Sequence, residues 1–525
     1  MIPVTEFAGR DVAVFGLART GLAAAKALAA GGARVHAWDD SDVSRARAEA
    51  EGVTVSDINA RDWRSFAALI LSPGVPFHYP IPHRVVTLAE AVGVPVLGDI
   101  ELFARAVNAL PPSARPKLIG VTGTNGKSTT TALIAHILKE AGKDVRVGGN
   151  IGEAVLALPP LHAGAHYVIE LSSFQLDLTE SLRLDAAIWT NTTPDHLDRH
   201  GGMANYVAAK KRVFRNQGAG DWAIIGVDDA HCAAICTELM GKGARFVAPI
   251  SANSALGRGV CALGPKLFDA MSGRTEEVAD LTDAPALAGR HNAQNACAAY
   301  AAARAFGVEP RAIARAFNTF PGLPHRLERV ATIAGVRFVN DSKATNANAA
   351  AQALAVYPRI YWIAGGVAKD GGVDELAQFM PRVARAYLIG QSAGEFADAL
   401  RARTAVTLAG DLETAVRRAF EDALASGDTH PVVLLSPACA SYDQFRDYED
   451  RGNQFKAHVA RLAKSPNAPA PGTPRAGPVS RAVIPAVQQT TAQKASVKIP
   501  PPSQVPSQTG KQDPDHGPRK GGGKL

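Results

Sequence analysis

Cysteine is scarce in this 525-residue sequence: there are five, Cys232, Cys236, Cys261, Cys297 and Cys439. An odd and small number gives no disulfide framework and fits a reducing compartment, so a cytoplasmic protein is expected. No run of about 18 uninterrupted apolar residues occurs, so no membrane-spanning helix is expected. Met1-Ile2-Pro3-Val4-Thr5-Glu6 has neither a basic cluster nor an apolar stretch, so no signal peptide is expected. Net charge of one sign is also missing from most of the chain. Of the formal +7, residues 465–525 supply +6, with eight Lys/Arg against two acids, and residues 1–464 supply +1. A body so close to neutral offers no general face for nucleic acid, and no nucleic-acid partner is expected.

What is present is a chain long enough for about three domains of roughly 100–200 residues each. Apolar runs at 12–15, 33–38 and 67–71 alternate with an Ala-rich helical stretch at 21–30 and further helical pattern. Such alternation implies a parallel sheet covered by helices. After the connection Pro111-Pro112-Ser113-Ala114-Arg115-Pro116, a second series starts with a strand at 117–122 and runs to about Phe320. Pro321-Gly322-Leu323-Pro324 marks the next boundary, and strands are expected at 336–340, 360–364, 386–389 and 432–436. The expected class is therefore α/β with three domains: Rossmann-like (1–97), P-loop ATPase-type with a parallel sheet (98–322), and Rossmann-like again (323–464). Residues 465–525 hold 12 of the 34 prolines and no aromatic residue, and read as a disordered basic tail. Such a tail suits an acidic partner or an anionic membrane surface, and its residues name neither.

The first chemical motif is the stretch Gly123-Thr124-Asn125-Gly126-Lys127-Ser128-Thr129 between a strand and a helix expected at 130–141. Glycines let backbone N–H groups close around phosphate oxygens, and the helix N-terminus adds its dipole. Lys127 would reach the β- and γ-phosphates and Ser128 would offer a hydroxyl to Mg²⁺. Val121 stands where a strict Walker motif has its first glycine, so a chance Gly-Lys-Ser turn is the bland alternative. The flanking strand and helix weigh against it.

Other residues carry two readings each. Glu170 follows Tyr167-Val168-Ile169, at a strand's C-terminal end, where open α/β sheets place ligands; it could also be a surface acid. His196 follows a strand at 186–191 and could be a plain loop imidazole. On a helix expected at 205–214, Lys210 lies four residues from both Tyr206 and Phe214, within the apolar stripe, whereas Lys211 points outward. Burial pushes a lysine towards the neutral amine, which reacts with CO₂; a snorkelling lysine is the alternative. Asn292 and Asn295 share a helical face, fit for an adenine or for capping. Arg326 and Asp341 could form an ordinary ion pair at a domain boundary.

Near the N-terminus, Gly16-Leu17-Ala18-Arg19-Thr20-Gly21 follows a strand and Asp39 ends the next. Ala18 replaces the glycine that would let a dinucleotide pyrophosphate approach. Lys369 sits in Gly365-Gly366-Val367-Ala368-Lys369-Asp370-Gly371 and could be a solvated loop lysine. His231, Cys232 and Cys236 lack a second ligand pair and read as structural, not zinc-binding.

The compact Gly-Thr-Asn-Gly-Lys-Ser-Thr form resembles the signature of the Mur ligases and folylpolyglutamate synthases. The later motifs follow in the Mur order: Gly149-Asn150-Ile151-Gly152, Glu170-Leu171-Ser172-Ser173-Phe174-Gln175-Leu176, Asn191 to His200, Tyr206 to Lys210, His291 to Asn295, Leu323 to Glu328, Asn340 to Asn346 and Ser436 to Phe445. The resemblance covers residues 10–460 or so. It implies an ATP-dependent ligase that phosphorylates a carboxylate and lets an amine displace the phosphate. ATP would be held by Gly123, Thr124, Asn125, Gly126, Lys127, Ser128, Thr129, Asn292, Asn295, Arg326 and Asp341. Two Mg²⁺ would be held by Ser128, Glu170, His196 and a carbamylated Lys210. Lys127, His196, Lys210 and Lys343 would be the catalytic group.

For substrates, the resemblance implies UDP-N-acetylmuramoyl-L-alanine and D-glutamate. Arg19, Thr20, Asp39, Gly74 and Asn150 would contact the first, though Asp39-Asp40-Ser41-Asp42 departs from the family's hydroxyl-and-arginine pattern. Lys343, Thr345, Lys369 and Ser441 would hold the dicarboxylate, and the Asp-Asn-Pro-Arg motif of the diaminopimelate-adding relative is absent. Two other readings stay open. One is a sister ligase adding a different amino acid, or glutamate to folate, the latter opposed by the N-terminal α/β domain. The other is a non-catalytic nucleotide-binding scaffold, opposed by the intact Lys127, Glu170, His196 and Lys210.

Overall fold

Apolar strands in regular alternation with helices assemble into three separate sheets. The computed structural model describes residues 1–464 apart from 244 and 369–371; the basic tail and Lys369 therefore lie outside the described residues. The first sheet has four parallel strands in the order Arg34–Trp38, Asp11–Phe15, Phe66–Leu71, Val96–Leu97. Its central strand is buried at four of five positions, as a strand covered on both faces must be. The helix Arg19–Ala30 presses close behind it: a Cβ on Gly21 would stand 1.7 Å from the Gly16 carbonyl oxygen.

The second sheet has nine strands, with Lys117–Thr122 between Ala165–Glu170 and Ala186–Trp189. Seven run parallel, and the last two, Lys266–Asp269 and Glu276–Asp280, add an antiparallel extension that the sequence reading did not contain. The reversal is made by the two residues Gly264 and Pro265 between the paired Leu263 and Lys266, with Gly264 at φ +62°. A loop that short needs a positive φ, which glycine accepts without strain. The third sheet runs Glu328–Ile333, Val336–Asn340, Val432–Leu435, Ile360–Gly365, Val383–Ile389, Ala405–Gly410. All but its first strand are parallel.

The helix expected at 205–214 begins earlier and ends earlier, as Met203–Lys211 followed by the 3₁₀ turn Arg212–Phe214. One apolar cluster joins Val12 and Leu28 of the first sheet region to Phe103, Leu156 and Tyr167 of the second. Beside it, the buried Glu101 carboxylate accepts the N–H groups of Glu180 and Ser181 at 2.8 and 2.9 Å. The first two sheets are thus joined by core packing, and the Glu101 carboxylate beside that core has its acceptor sites filled. Among the described residues, no helix is long and apolar enough to cross a membrane.

Candidate active site

The loop after Lys117–Thr122 turns on two glycines that nothing else could replace. Gly123 has φ +146° and Gly126, the N-cap of helix Lys127–Glu140, has φ +81°. A Cβ on Gly123 would lie 2.0 Å from Thr190 Oγ1, and one on Gly126 2.2 Å from Asn295 Oδ1. The loop is pinned from outside by Asn191, whose Oδ1 accepts the Asn125 N–H at 2.9 Å. In the sequence Asn191 only opens the motif that runs to His200 and carries no role of its own, although it lies just past a strand end as Glu170 lies at one. Lys127 Nζ donates to the Gly123 and Thr124 carbonyls, both at 2.9 Å. Backbone N–H groups at a helix N-terminus, with a lysine folded over them, form a cradle for phosphate.

Around this loop lie Glu170 and Lys210, two of the expected metal ligands. Glu170 is 2 % exposed; Oε1 accepts from Asn150 Nδ2 at 2.6 Å, while Oε2 is buried without a hydrogen-bond partner. A desolvated carboxylate oxygen left so is costly unless a cation meets it. Lys210 is 1 % exposed and donates from Nζ to the Gly123 carbonyl at 2.9 Å, so the snorkelling alternative does not hold. Burial first, and the Lys127 charge second, push its amine well below the usual lysine range. Lys211 does face outward, paired with Glu238. Under Lys210 lies the Tyr206 ring, 4.6 Å from Nζ, with its hydroxyl 3.0 Å from Thr124 Oγ1. His196, at φ +53°, sits 5.1 Å from the Phe174 ring, which stacks on His200. A hydroxyl, a carboxylate and an imidazole are donors that a divalent cation accepts, and a free amine at Lys210 adds a fourth only once neutral.

The third sheet reaches the same place. Arg326 Nη2 donates to Ser128 Oγ at 3.0 Å. Asp341 instead accepts from the Leu327 N–H at 3.2 Å and the Ser436 hydroxyl at 2.8 Å, so no ion pair joins it to Arg326. Burial pushes Asp341 up to about 7. Both residues line a cavity of about 320 Å³ with Asn125, Gly126, Asn292 and Asn295. Asn295 Nδ2 donates to Asn292 Oδ1, and Asn292 donates to the Ala288 carbonyl; the helix N-cap is Gly289, so Asn292 is not the cap. Lys343, held by burial and then by Arg326 at about 8, donates to the Tyr448 hydroxyl at 3.2 Å. Lys343 and Thr345 follow the strand Val336–Asn340, and the buried Ser441 follows the adjacent strand Val432–Leu435. Tyr448 carried no motif signal of its own.

On the first sheet, Arg19 donates to the Asn150 and Gly152 carbonyls at 2.8 and 2.6 Å. Arg199 donates to the Gly74 carbonyl at 3.0 Å while its guanidinium lies 4.9 Å from the Phe174 ring. Arg19, Gly74 and Asn150 are thus tied to the second sheet's loops. Asp39 turns the other way, accepting the N–H groups of Leu17 at 2.6 Å and Ser41 at 2.8 Å, and Thr20 is part-exposed on the helix Arg19–Ala30. Cys232 is buried 3.3 Å from Thr192 Oγ1, and His231 is exposed.

Residues 121–303 match the Mur ligase middle domain, and residues 325–439 the Mur ligase, glutamate ligase domain. The UDP-N-acetylmuramoylalanine–D-glutamate ligase of Caulobacter sp. (strain K31) is 59% identical over 464 residues, 88% of this chain and 99% of that one. The chain belongs to the Mur ligase family. A ligase of the same name from Phenylobacterium zucineum (strain HLK1) is 57% identical over 463 residues, 88% of this chain and 98% of that one. Solved Mur-type structures share the fold. UDP-N-acetylmuramate-alanine ligase MurC from Thermotoga maritima aligns with a TM-score of 0.54 at 17% identity, covering 86% of this chain and 99% of that one.

The glycine loop gives a direct test of this site. Gly126→Ala combines a positive φ with a Cβ 2.2 Å from Asn295 Oδ1. Titration calorimetry should show ATP affinity reduced about tenfold or more, some 1.4 kcal/mol per decade, with the far-ultraviolet spectrum unchanged.

Proposed function

We infer that the chain joins D-glutamate to UDP-N-acetylmuramoyl-L-alanine, converting ATP to ADP and phosphate, in peptidoglycan precursor synthesis in the cytoplasm. The observation that carries this reading is the 59% identity to a D-glutamate ligase across 99% of that enzyme's length. The N-terminal domain (1–97) would hold the UDP handle through Arg19, Thr20, Asp39, Gly74 and, from across the boundary, Asn150. The central domain (98–322) would hold ATP, and the third (323–464) the incoming amino acid.

A free carboxylate resists attack because its leaving group would be oxide. A carboxylate oxygen of the alanyl group therefore attacks the γ-phosphorus, ADP leaves, and the acyl phosphate carries a better leaving group. The glutamate amine then attacks the acyl carbon, phosphate departs and the amine loses a proton. Phosphoryl transfer of this kind needs positioning and charge neutralisation more than covalent help. Lys127 would neutralise the transferred phosphoryl group, and Arg326 and Asp341 would contact phosphates and ribose. Asn292 and Asn295 would border the base. Mg²⁺, two ions held by Ser128, Glu170, His196 and carbamylated Lys210, would neutralise phosphate charge when bound. The neutral amine of Lys210 can attack CO₂ and lose a proton, turning a cation into a carboxylate-like ligand. Lys343, Thr345, Lys369 and Ser441 would receive the two carboxylates of D-glutamate.

Phosphate release should require UDP-N-acetylmuramoyl-L-alanine, D-glutamate, ATP and Mg²⁺ together and stop on chelation. Release with another amino acid and not with D-glutamate would move the chain to a sister activity; none at all would favour a scaffold. Native mass spectrometry at ambient CO₂ should find the carbamate on Lys210 and lose it in Lys210→Arg; a free lysine throughout would remove this ligand. Lys343 is cationic below about 8 and neutral above it. The substrate amine becomes competent as pH rises, with the opposite sign. The alkaline fall in kcat/KM for D-glutamate should therefore begin near pH 8 and move upward in Lys343→Arg, which stays charged. An unmoved limb would assign that fall to another group.

A further inference from the structure

Beneath the amino-acid pocket lies a guanidinium cut off from water altogether. Arg451, on the helix Tyr448–Lys464, is 0 % exposed. Among the described residues it forms no ion pair. Its partners are neutral: Nε donates to Ser342 Oγ at 2.9 Å, Nη2 to the Ser342 carbonyl at 2.7 Å, and Nη1 and Nη2 to the Cys439 carbonyl at 3.1 and 3.2 Å. Burial lowers it only to about 10, so it stays charged at neutral pH. A buried cation hydrogen-bonded to carbonyls and a hydroxyl, with Asp443 acting on it only through space, bears a desolvation cost that a neutral residue of similar size would escape. The fork geometry of arginine is what it gains, two loops gripped by one rigid plane.

Those two loops are the ones in question. Ser342 precedes Lys343 and Thr345, and Cys439 lies two residues before Ser441. Ala440 and Val367 exchange backbone hydrogen bonds at 3.0 Å, which extends the grip to the end of strand Ile360–Gly365. Ser342 Oγ also donates to the Tyr448 carbonyl at 2.8 Å, and the Tyr448 hydroxyl meets Lys343 Nζ. We propose that Arg451 is a positioning residue for the amino-acid pocket, clamping the Lys343 loop to the Ser441 loop so that their spacing matches the two carboxylates of D-glutamate. The proposal rests on the assignment of that pocket given above. Misplacing one carboxylate partner by about an ångström is enough to lose most of the benefit of orientation.

The test uses the full chain with Arg451→Met, Arg451→Lys and Ser342→Ala, the last two retaining a charge or the guanidinium should the first fail to fold. KM for D-glutamate should rise about tenfold or more in Arg451→Met and less in Arg451→Lys, with KM for ATP and for UDP-N-acetylmuramoyl-L-alanine within about twofold. An unchanged KM for D-glutamate in a folded variant, or an equal rise in all three, would overturn the proposal. If the wild type works with another amino acid, the proposed function fails, and the same KM ratio measured with that amino acid still judges Arg451. If the wild type releases no phosphate, amide exchange decides: faster exchange confined to residues 342–346 and 436–441 supports the clamp, and unchanged exchange removes it.

Discussion

An excess of positive charge held where water has little access governs the arrangement. Lys127, Lys210, Arg326 and Lys343 act on one another and on Glu170 through space, and burial heads the causes that lower all three lysines. Even with Asp195 and Glu449 also acting on them, basic groups so close repel one another more strongly in a poorly solvated setting than they would in water. The fold must therefore hold them together by other means. It does so with strand ends, a helix N-terminus and backbone carbonyls such as that of Gly123, shared by two lysines. A polyanion relieves the strain, and a nucleoside triphosphate beside a dicarboxylate is such a polyanion. Loss of the proton on Lys210 removes one unit of repulsion before any ligand arrives.

The parallel sheets explain why groups so distant in sequence converge. Glu170 ends and Asn191 follows the strands on either side of Lys117–Thr122, and the phosphate loop follows that strand itself. Asp341 and Ser436 follow neighbouring strands of the third sheet, and their hydrogen bond closes its end. Side chains at the carboxyl ends of adjacent parallel strands are neighbours whatever their separation along the chain.

That regularity made much of the site legible in the sequence. Glycines beside a lysine, an acid ending an apolar run, and a lysine four residues from two apolar neighbours each pointed to a position that the structure fills. The hairpin Glu328–Ile333 to Val336–Asn340 was less visible, because its two-residue turn places Ala334 at φ +50°. Asparagine or aspartate before the glycine would have announced it. Asn191, Tyr448 and Arg451 escaped for another reason. Asn191 and Arg451 bond backbone atoms of loops remote in sequence and Tyr448 bonds the Lys343 side chain, and no local pattern encodes the identity of such a partner. Asp39 showed the converse, since its carboxylate serves Leu17 and Ser41 of its own domain.

Arg19 reaches the carbonyl of Asn150, whose side-chain amide holds Glu170 at 2.6 Å. One residue thus separates the handle site from the reaction centre. If a ligand at Arg19 shifts the free energy of a ligand at that carboxylate, the second shifts the first by the same amount. With such a coupling, an inhibitor built for either end would have an affinity set in part by what already occupied the other.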